Sequence, residues 1–132
     1  MTTTVAKPEV PDVGTGYPTV ASRIREWARR RPHAVAMREK DYGIWQEKTW
    51  AQLWDEIVTA AHGLLALGVH RGQVVSIHSE DRPEWVLMDA AAGSIRGIST
   101  GLYPTNPTAE VKYLLGDSGA VVHIAEDQEQ VD

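Results

Sequence analysis

The chain has 132 residues, no cysteine, a formal net charge of −5 and 42% apolar residues. That composition fits one soluble domain or part of a larger one, and a complete domain of this size buries roughly two thirds of its unfolded surface. It excludes a disulfide framework and a thiolate zinc site, leans mildly toward the cytosol, and argues against nucleic acid as the main partner.

Residues 1–16 read as a loose lead-in, with Lys7 as the one cation, Pro8 and Pro11 as breaks, and no apolar stretch of the kind a signal peptide or anchor needs. Nothing in the chain approaches the roughly 20 apolar residues of a spanning helix. Residues 17–132 are organised differently. Pro18 to Arg31 predicts an amphipathic helix carrying Val20, Ile24, Trp27 and Ala28 on one face and stopping at Pro32. Arg29, Arg30 and Arg31 fall on its last turn, where cations complement the helix dipole; a solvated helix end is the simpler reading, and an anion-binding patch the alternative. Ala34 to Glu39 and Ile44 to Thr49 flank the polar turn Lys40-Asp41-Tyr42-Gly43, which is the pattern of a β-hairpin.

Thr49 opens the clearest helix: its hydroxyl can cap the amide of Gln52 while Gln52 reaches back. Trp50, Leu53, Trp54, Ile57, Val58, Ala61, Leu64 and Leu65 then form one broad stripe before Gly68. Gln73 to Ser79 reads as a buried strand around Val74, Val75 and Ile77, and Asp81 or Arg82 precedes a helix that starts at Pro83 and runs to Arg96. Its run Ala90-Ala91-Ala92-Gly93 would let the backbone approach a sheet closely.

Gly97 to Gly119 carries the most information. Ile98 to Leu102 is a β-favouring run, and Tyr103-Pro104-Thr105-Asn106-Pro107 is a rigid corner. Thr108 to Leu115 resumes at helical spacing, with Asn106 as the expected N-cap, Pro107 as the first helical residue and Gly116 as the stop. Ala120 to Ala125 supplies another apolar run, and Glu126 to Asp132 begins a further polar helical segment. From Gln73 onward the order is βαβαβ, so the fold class is α/β: parallel-sheet βαβ units with a preceding helix and β-hairpin.

Candidate chemical constellations fail on spacing. His33, His62, His70, His78 and His123 form no HxxxH or HExxH pair, so no metal site is indicated. His78-Ser79-Glu80-Asp81 holds the residue types of a triad, but strand neighbours point to opposite faces. His78 keeps some interest because open α/β sheets place ligands at the C-terminal ends of their strands. Gly116-Asp117-Ser118-Gly119 is better read as a helix end and turn than as a hydrolase string. Gly14-Thr15-Gly16 lacks a preceding strand, and Ser99-Thr100-Gly101 lacks the lysine of a phosphate loop.

Lys48-Thr49-Trp50-Ala51-Gln52-Leu53, the stretch from Gly72 through Trp85, and Gly97 through Asp132 closely resemble the N-terminal part of adenylate-forming acyl-CoA synthetases, best of all bacterial long-chain fatty-acid–CoA ligases. The likeness covers the chain from about Thr19 on, and the strings RPEW, LYPTNP, EVKYLLGDSGA and AEDQEQVD are specific in combination. Lys48 to Leu53 looks like the family's first core motif, with Trp50 in the place of a tyrosine, and Ala92 to Thr105 looks like its second. Gln73, His78, Asp81 and Arg96 depart from the residues usual there.

The resemblance implies part of the large N-terminal domain of adenylate-forming enzymes. It implies a parent reaction in which a fatty carboxylate attacks the α-phosphate of Mg-ATP, pyrophosphate leaves, and the CoA thiolate displaces AMP. Fatty acid, ATP, Mg2+ and CoA are thus the implied ligands of the parent, with no nucleic acid partner and no transmembrane segment. The Ser/Thr/Gly-rich ATP loop, the ribose-binding aspartate and the catalytic lysine of such ligases have no counterpart between Met1 and Asp132. No catalytic, cofactor-binding or metal-binding residue therefore transfers, and the expectation is an inactive piece of a ligase. A stand-alone binding module, or a piece of another adenylate-forming enzyme, stays open as the alternative. Self-association through an unfinished sheet edge is a further expectation. A cytoplasmic location is implied, with peripheral membrane contact left open because no basic amphipathic face is evident.

Overall fold

The computed structural model describes residues 18–131, so the lead-in of residues 1–16 lies outside the described residues. Helix α1 (Val20–Arg30) starts because Thr19 accepts a hydrogen bond from the Ser22 amide on its side-chain oxygen, and it buries Ala21 and Ile24. Trp27 sits at its edge and stacks on Trp50 at 6.0 Å between ring centroids, with the Arg31 guanidinium 5.8 Å from the Trp27 ring. Glu26 pairs with Arg23 at 3.1 Å and with Arg30 at 2.7 Å. Together with Arg25 and Arg29 this gives α1 an arginine-rich outer face. The apolar side of α1 is taken up by the core.

Strands β1 (Val35–Asp41) and β2 (Ile44–Thr49) form the hairpin, with Asp41 opposite Ile44. The turn is shorter than the four-residue one expected, because Tyr42 and Gly43 both adopt positive φ, 47° and 81°, and two such residues match the twist of a tight hairpin. Helix α2 (Trp50–Ala66) follows without a break through the expected capping box: Thr49 Oγ1 accepts from the Gln52 amide, and Gln52 Oε1 accepts from the Thr49 amide at 2.9 Å. Leu53, Ile57, Ala61 and Leu64 are its buried stripe. They meet Val69, Val75 and the Ala90-Ala91-Ala92 run in one core. Fully burying a side chain such as Ile57 contributes about 1.5–3 kcal/mol of transfer free energy, which is why this seam dominates the packing.

Strand β3 (Val74–His78) leads to α3 (Pro83–Ser94), then β4 (Ile98–Leu102), α4 (Thr108–Ser118) and β5 (Val122–Ala125), with a 3-10 turn at Gln128–Gln130. The three strands pair in parallel in the order β4-β3-β5. Side chains alternate across a strand, so Val75 and Ile77 face the α2–α3 layer while Ser76 and His78 face the α4 side. All four are buried, which places β3 at the centre of the fold.

Several boundaries differ from the sequence reading. Asn106 does not cap α4. Tyr103 to Asn106 form a turn, with the Asn106 amide donating to the Tyr103 carbonyl at 3.0 Å and Pro104 at the second position, so the cap falls on Pro107. Gly116 does not stop α4 either; the helix runs to Ser118 and ends on Gly119 at φ 65°. Helix α3 ends at Ser94, and Arg96 takes up a left-handed conformation at φ 62°. The last segment makes a single 3-10 turn, capped by Asp127.

Candidate functional site at the strand ends

A cleft of about 670 Å³ opens at the C-terminal ends of β3 and β5, between α4 and the final 3-10 turn. This is the edge at which open α/β sheets receive ligands. Its floor is built from the α4-facing side chains of the sheet. Ser76 and His123 are opposite one another in the β3–β5 register, and Ser76 Oγ lies 2.7 Å from His123 Nδ1 and 3.3 Å from the Val122 carbonyl. A hydroxyl has one proton, so it donates either to the ring or to the carbonyl. The pair has the atoms of a serine–histidine dyad, but Ser76 is fully buried, and a nucleophile closed to substrate has no reaction to perform.

His78 stands beside His123 with ring centroids 5.7 Å apart. Its Nε2 lies 3.1 Å from the Tyr103 carbonyl, which can only accept, so the neutral ring carries its proton on Nε2 and leaves Nδ1 as an acceptor. Burial, and next the charge of His78, lower the pKa of His123 below the ordinary histidine value. The Tyr103–Asn106 turn thus positions His78 from the β4 side of the strand.

At the lip of the cleft Glu126 ties β5 to the segment after β3. Its carboxylate accepts from the Glu80 amide at 2.8 Å, from Arg82 Nη1 at 2.7 Å and from Ser79 Oγ at 3.3 Å, while its own amide donates to the His78 carbonyl at 3.0 Å. The Glu80 amide and then the Arg82 contact hold the Glu126 carboxyl below the usual carboxylate range. Arg82, shared with Glu84 at 3.1 Å, is committed to carboxylates, which holds its pKa above the ordinary arginine value.

The other motifs resolve into structure. Ser79 Oγ gives its one proton either to the Glu80 carbonyl at 2.9 Å or to Glu126 at 3.3 Å, and so forms no triad with His78. Ser118 Oγ donates back to the Leu115 carbonyl within α4. Ser99 and Thr100 are strand residues of β4, Ser99 hydrogen-bonded to Asp89 of α3. Gly14-Thr15-Gly16 lies outside the described residues. Among the described residues no group of three or more His, Asp or Glu side chains could hold a metal ion, and no helix is long and apolar enough to cross a membrane. The sequence reading picked out His78 but missed Ser76, His123 and Glu126. Alternation places Ser76 with His78, whereas the approach of His123 and Glu126 depends on β5 choosing β3 as its neighbour.

Comparison with known proteins decides what this architecture belongs to. The profile of the AMP-binding enzyme family matches residues 24–132. The chain belongs to the AMP-binding enzyme family. The long-chain-fatty-acid–CoA ligase FadD15 of Mycobacterium bovis is 34% identical over 110 residues, which are 83% of this chain and 18% of that ligase. The uncharacterized protein Rv1549 of Mycobacterium tuberculosis is 32% identical over 110 residues, 83% of this chain and 62% of that protein. In structure, the inhibitor-bound N-terminal domain of FACL13 from Mycobacterium tuberculosis superposes with a TM-score of 0.76 at 23% identity, over 83% of this chain and 27% of that one. The chain therefore spans about a fifth of the ligase it matches, and its fold is that of the N-terminal region of adenylate-forming enzymes. In AMP-binding terms, the parallel sheet with its helices is the shared scaffold, and the strand-end cleft lies at one edge of it.

Proposed function

We propose that this chain is the N-terminal part of an ATP-dependent long-chain fatty-acid–CoA ligase and that it is inactive by itself. The 34% identity to FadD15 across 83% of the chain carries the reading. In the parent, a fatty carboxylate attacks the α-phosphate of ATP with Mg2+ present, pyrophosphate leaves, and CoA thiolate releases AMP. Two anions must meet in that step, so a cationic clamp is required. The residues of the strand-end cleft do not fit it: Glu80, Glu126, Asp127 and Glu129 face a single lysine, Lys112. The hydroxyl-rich Ser99-Thr100 pair sits inside a strand, where its amides are not gathered as a phosphate cradle. No step of the reaction is therefore assigned to a residue of this chain.

The reading takes the parent to be cytoplasmic, with a peripheral membrane location as the alternative. It is tested by incubating the purified chain with ATP, Mg2+ and palmitate and trapping any acyl adenylate with hydroxylamine, beside a longer protein that carries the same sequence. The expected result is hydroxamate from the longer protein alone. Hydroxamate from the 132-residue chain would overturn the claim of inactivity, and a longer protein that activates no fatty acid would overturn the ligase assignment.

A second reading, a stand-alone binding or interaction module, is favoured by the match that spans 62% of Rv1549. Under it the strand edges must be protected in the isolated chain. Sedimentation velocity separates the two: a monomer at all concentrations supports the module, and concentration-dependent association supports an incomplete sheet.

A further inference from the structure

The strand-end cleft holds hydrogen-bond acceptors that nothing in the described structure satisfies. His78 is 4% exposed and lines the cleft, and its Nδ1 has no partner. Asn106 Oδ1, on another wall of the same cleft, is likewise buried and without a partner. Leaving such groups unpaired costs about 1–3 kcal/mol each, a cost that a ligand supplying donors would recover. The charge around them is mostly negative: Glu80, Asp127 and Glu129, together with Glu126 already paired to Arg82, against Lys112. Val111, Leu115 and Val131 provide an apolar wall, and the volume of about 670 Å³ lies in the range of small-ligand sites.

We infer that this cleft binds an N–H-donating cation, an ammonium or guanidinium group on a short aliphatic stem, with the stem along Val111 and Leu115 and the donors directed to His78 Nδ1 and Asn106 Oδ1. The chemistry follows from the donor and acceptor inventory. Tyr103 holds the proton of the neutral His78 ring on Nε2, so Nδ1 can receive a hydrogen bond but cannot give one. An anionic ligand meets four carboxylates against the single ammonium of Lys112 and leaves both acceptors unpaired; a neutral apolar one leaves them unpaired as well. Both acceptor atoms are closed to water in this conformation, so entry of the ligand includes a local opening of the cleft wall. The cation can come as a free amine or as a lysine or arginine side chain of another polypeptide segment.

The test is a titration of the full 132-residue chain, labelled with 15N in its histidines, at a pH of about 8 where unperturbed histidine is neutral. Agmatine stands for the free amine, a Leu-Arg-Leu amide for the polypeptide source, and pentanoate is the control of opposite charge. The expected result is a saturable movement of the His78 Nδ1 resonance with agmatine or the peptide and none with pentanoate. A peptide that binds while agmatine does not assigns the site to a polypeptide partner; the reverse assigns it to a free amine. Glu129→Lys should weaken binding about fivefold through the reversed charge. Leu115→Trp should fill the cleft and abolish the shift, its fold checked by the unchanged backbone amide spectrum. The inference is overturned if neither cation moves His78 Nδ1 at millimolar concentration, or if pentanoate moves it equally. It is independent of the ligase reading, since neither ATP nor a fatty acid enters the experiment.

Discussion

A Cβ placed on Gly101 of β4 would stand 3.1 Å from Cζ2 of Trp85 on α3. The indole occupies the space that any other side chain at position 101 would claim, so the glycine sets how closely the helix lies on the sheet. We expect Gly101→Ala to be tolerated only through a shift of the indole, and Gly101→Val to destabilise by about 1–3 kcal/mol, the usual range for overpacking. Urea denaturation of the two variants, followed by tryptophan fluorescence, reads both effects.

Arg96 is the opposite case. Its φ of 62° is one that a side chain disfavours, and it follows the end of α3 where glycine is common. The carbonyl of Arg96 accepts from the Gly72 amide at 2.8 Å, which fixes the conformation from outside. Arg96→Gly should therefore stabilise the fold, by about 0.5–1 kcal/mol after the greater freedom of glycine in the unfolded chain is set against the relief of strain. Paired thermal and urea midpoints of this variant and the parent chain check the sign.

The capping box at Thr49 joins hairpin and helix in a single residue, since Thr49 ends β2 and caps α2. Thr49→Ala removes the Oγ1 acceptor of the Gln52 amide, while the bond from the residue 49 amide to Gln52 Oε1 can remain. A loss of about 1 kcal/mol is expected, and Thr49→Ser should retain most of the stability. Chemical denaturation of the pair separates loss of the hydroxyl from loss of the methyl group.

Two carboxylate and imidazole effects give separate pH windows. His123 has a folded pKa below its unfolded value, chiefly through burial, so the folded state binds fewer protons than the unfolded one near that pH. Stability is then fully present above about pH 6.5, the unperturbed histidine value, and declines as pH falls through the lower folded value. Glu126 is also lowered, chiefly by the Glu80 amide, so its contribution is present above the unfolded carboxylate value and declines at a more acidic pH. His123→Gln should flatten the first decline and leave the second, and Glu126→Gln the reverse. Denaturation midpoints measured from neutral to acidic pH distinguish them.

What was legible in the sequence depended on whether its cause was local. Thr49 and Gln52 are three residues apart, and their capping box was readable because both halves of it lie in one turn. The hairpin turn was misjudged by two residues because the positive φ of Tyr42 is imposed by the tight pairing of Asp41 with Ile44. Asn106 has the chemistry of an N-cap, but it closes the Pro104 turn and the helix starts one residue later at the Pro107 cap, so its Oδ1 caps nothing. Gly116 lies inside α4 because a lone glycine costs a helix only about 1 kcal/mol, and the true stop needs the left-handed conformation that Gly119 adopts. The site was least legible. Ser76 and His123 are 47 positions apart, and only the β3–β5 pairing brings them together.

The strand order β4-β3-β5 has a consequence for the chain as it is synthesised. The middle strand is made first and both of its neighbours afterwards, each after an intervening helix. While the ribosome is between His78 and Val122, β3 has at least one side with its amides and carbonyls unmatched, next to the apolar surface of α2. A nascent chain in that interval is a substrate for hydrophobic-binding chaperones and for pairing with a neighbouring copy on the same polysome. Arrival of β5 closes that side of β3, and Glu126, one residue beyond it, then fastens the ends of the two strands together.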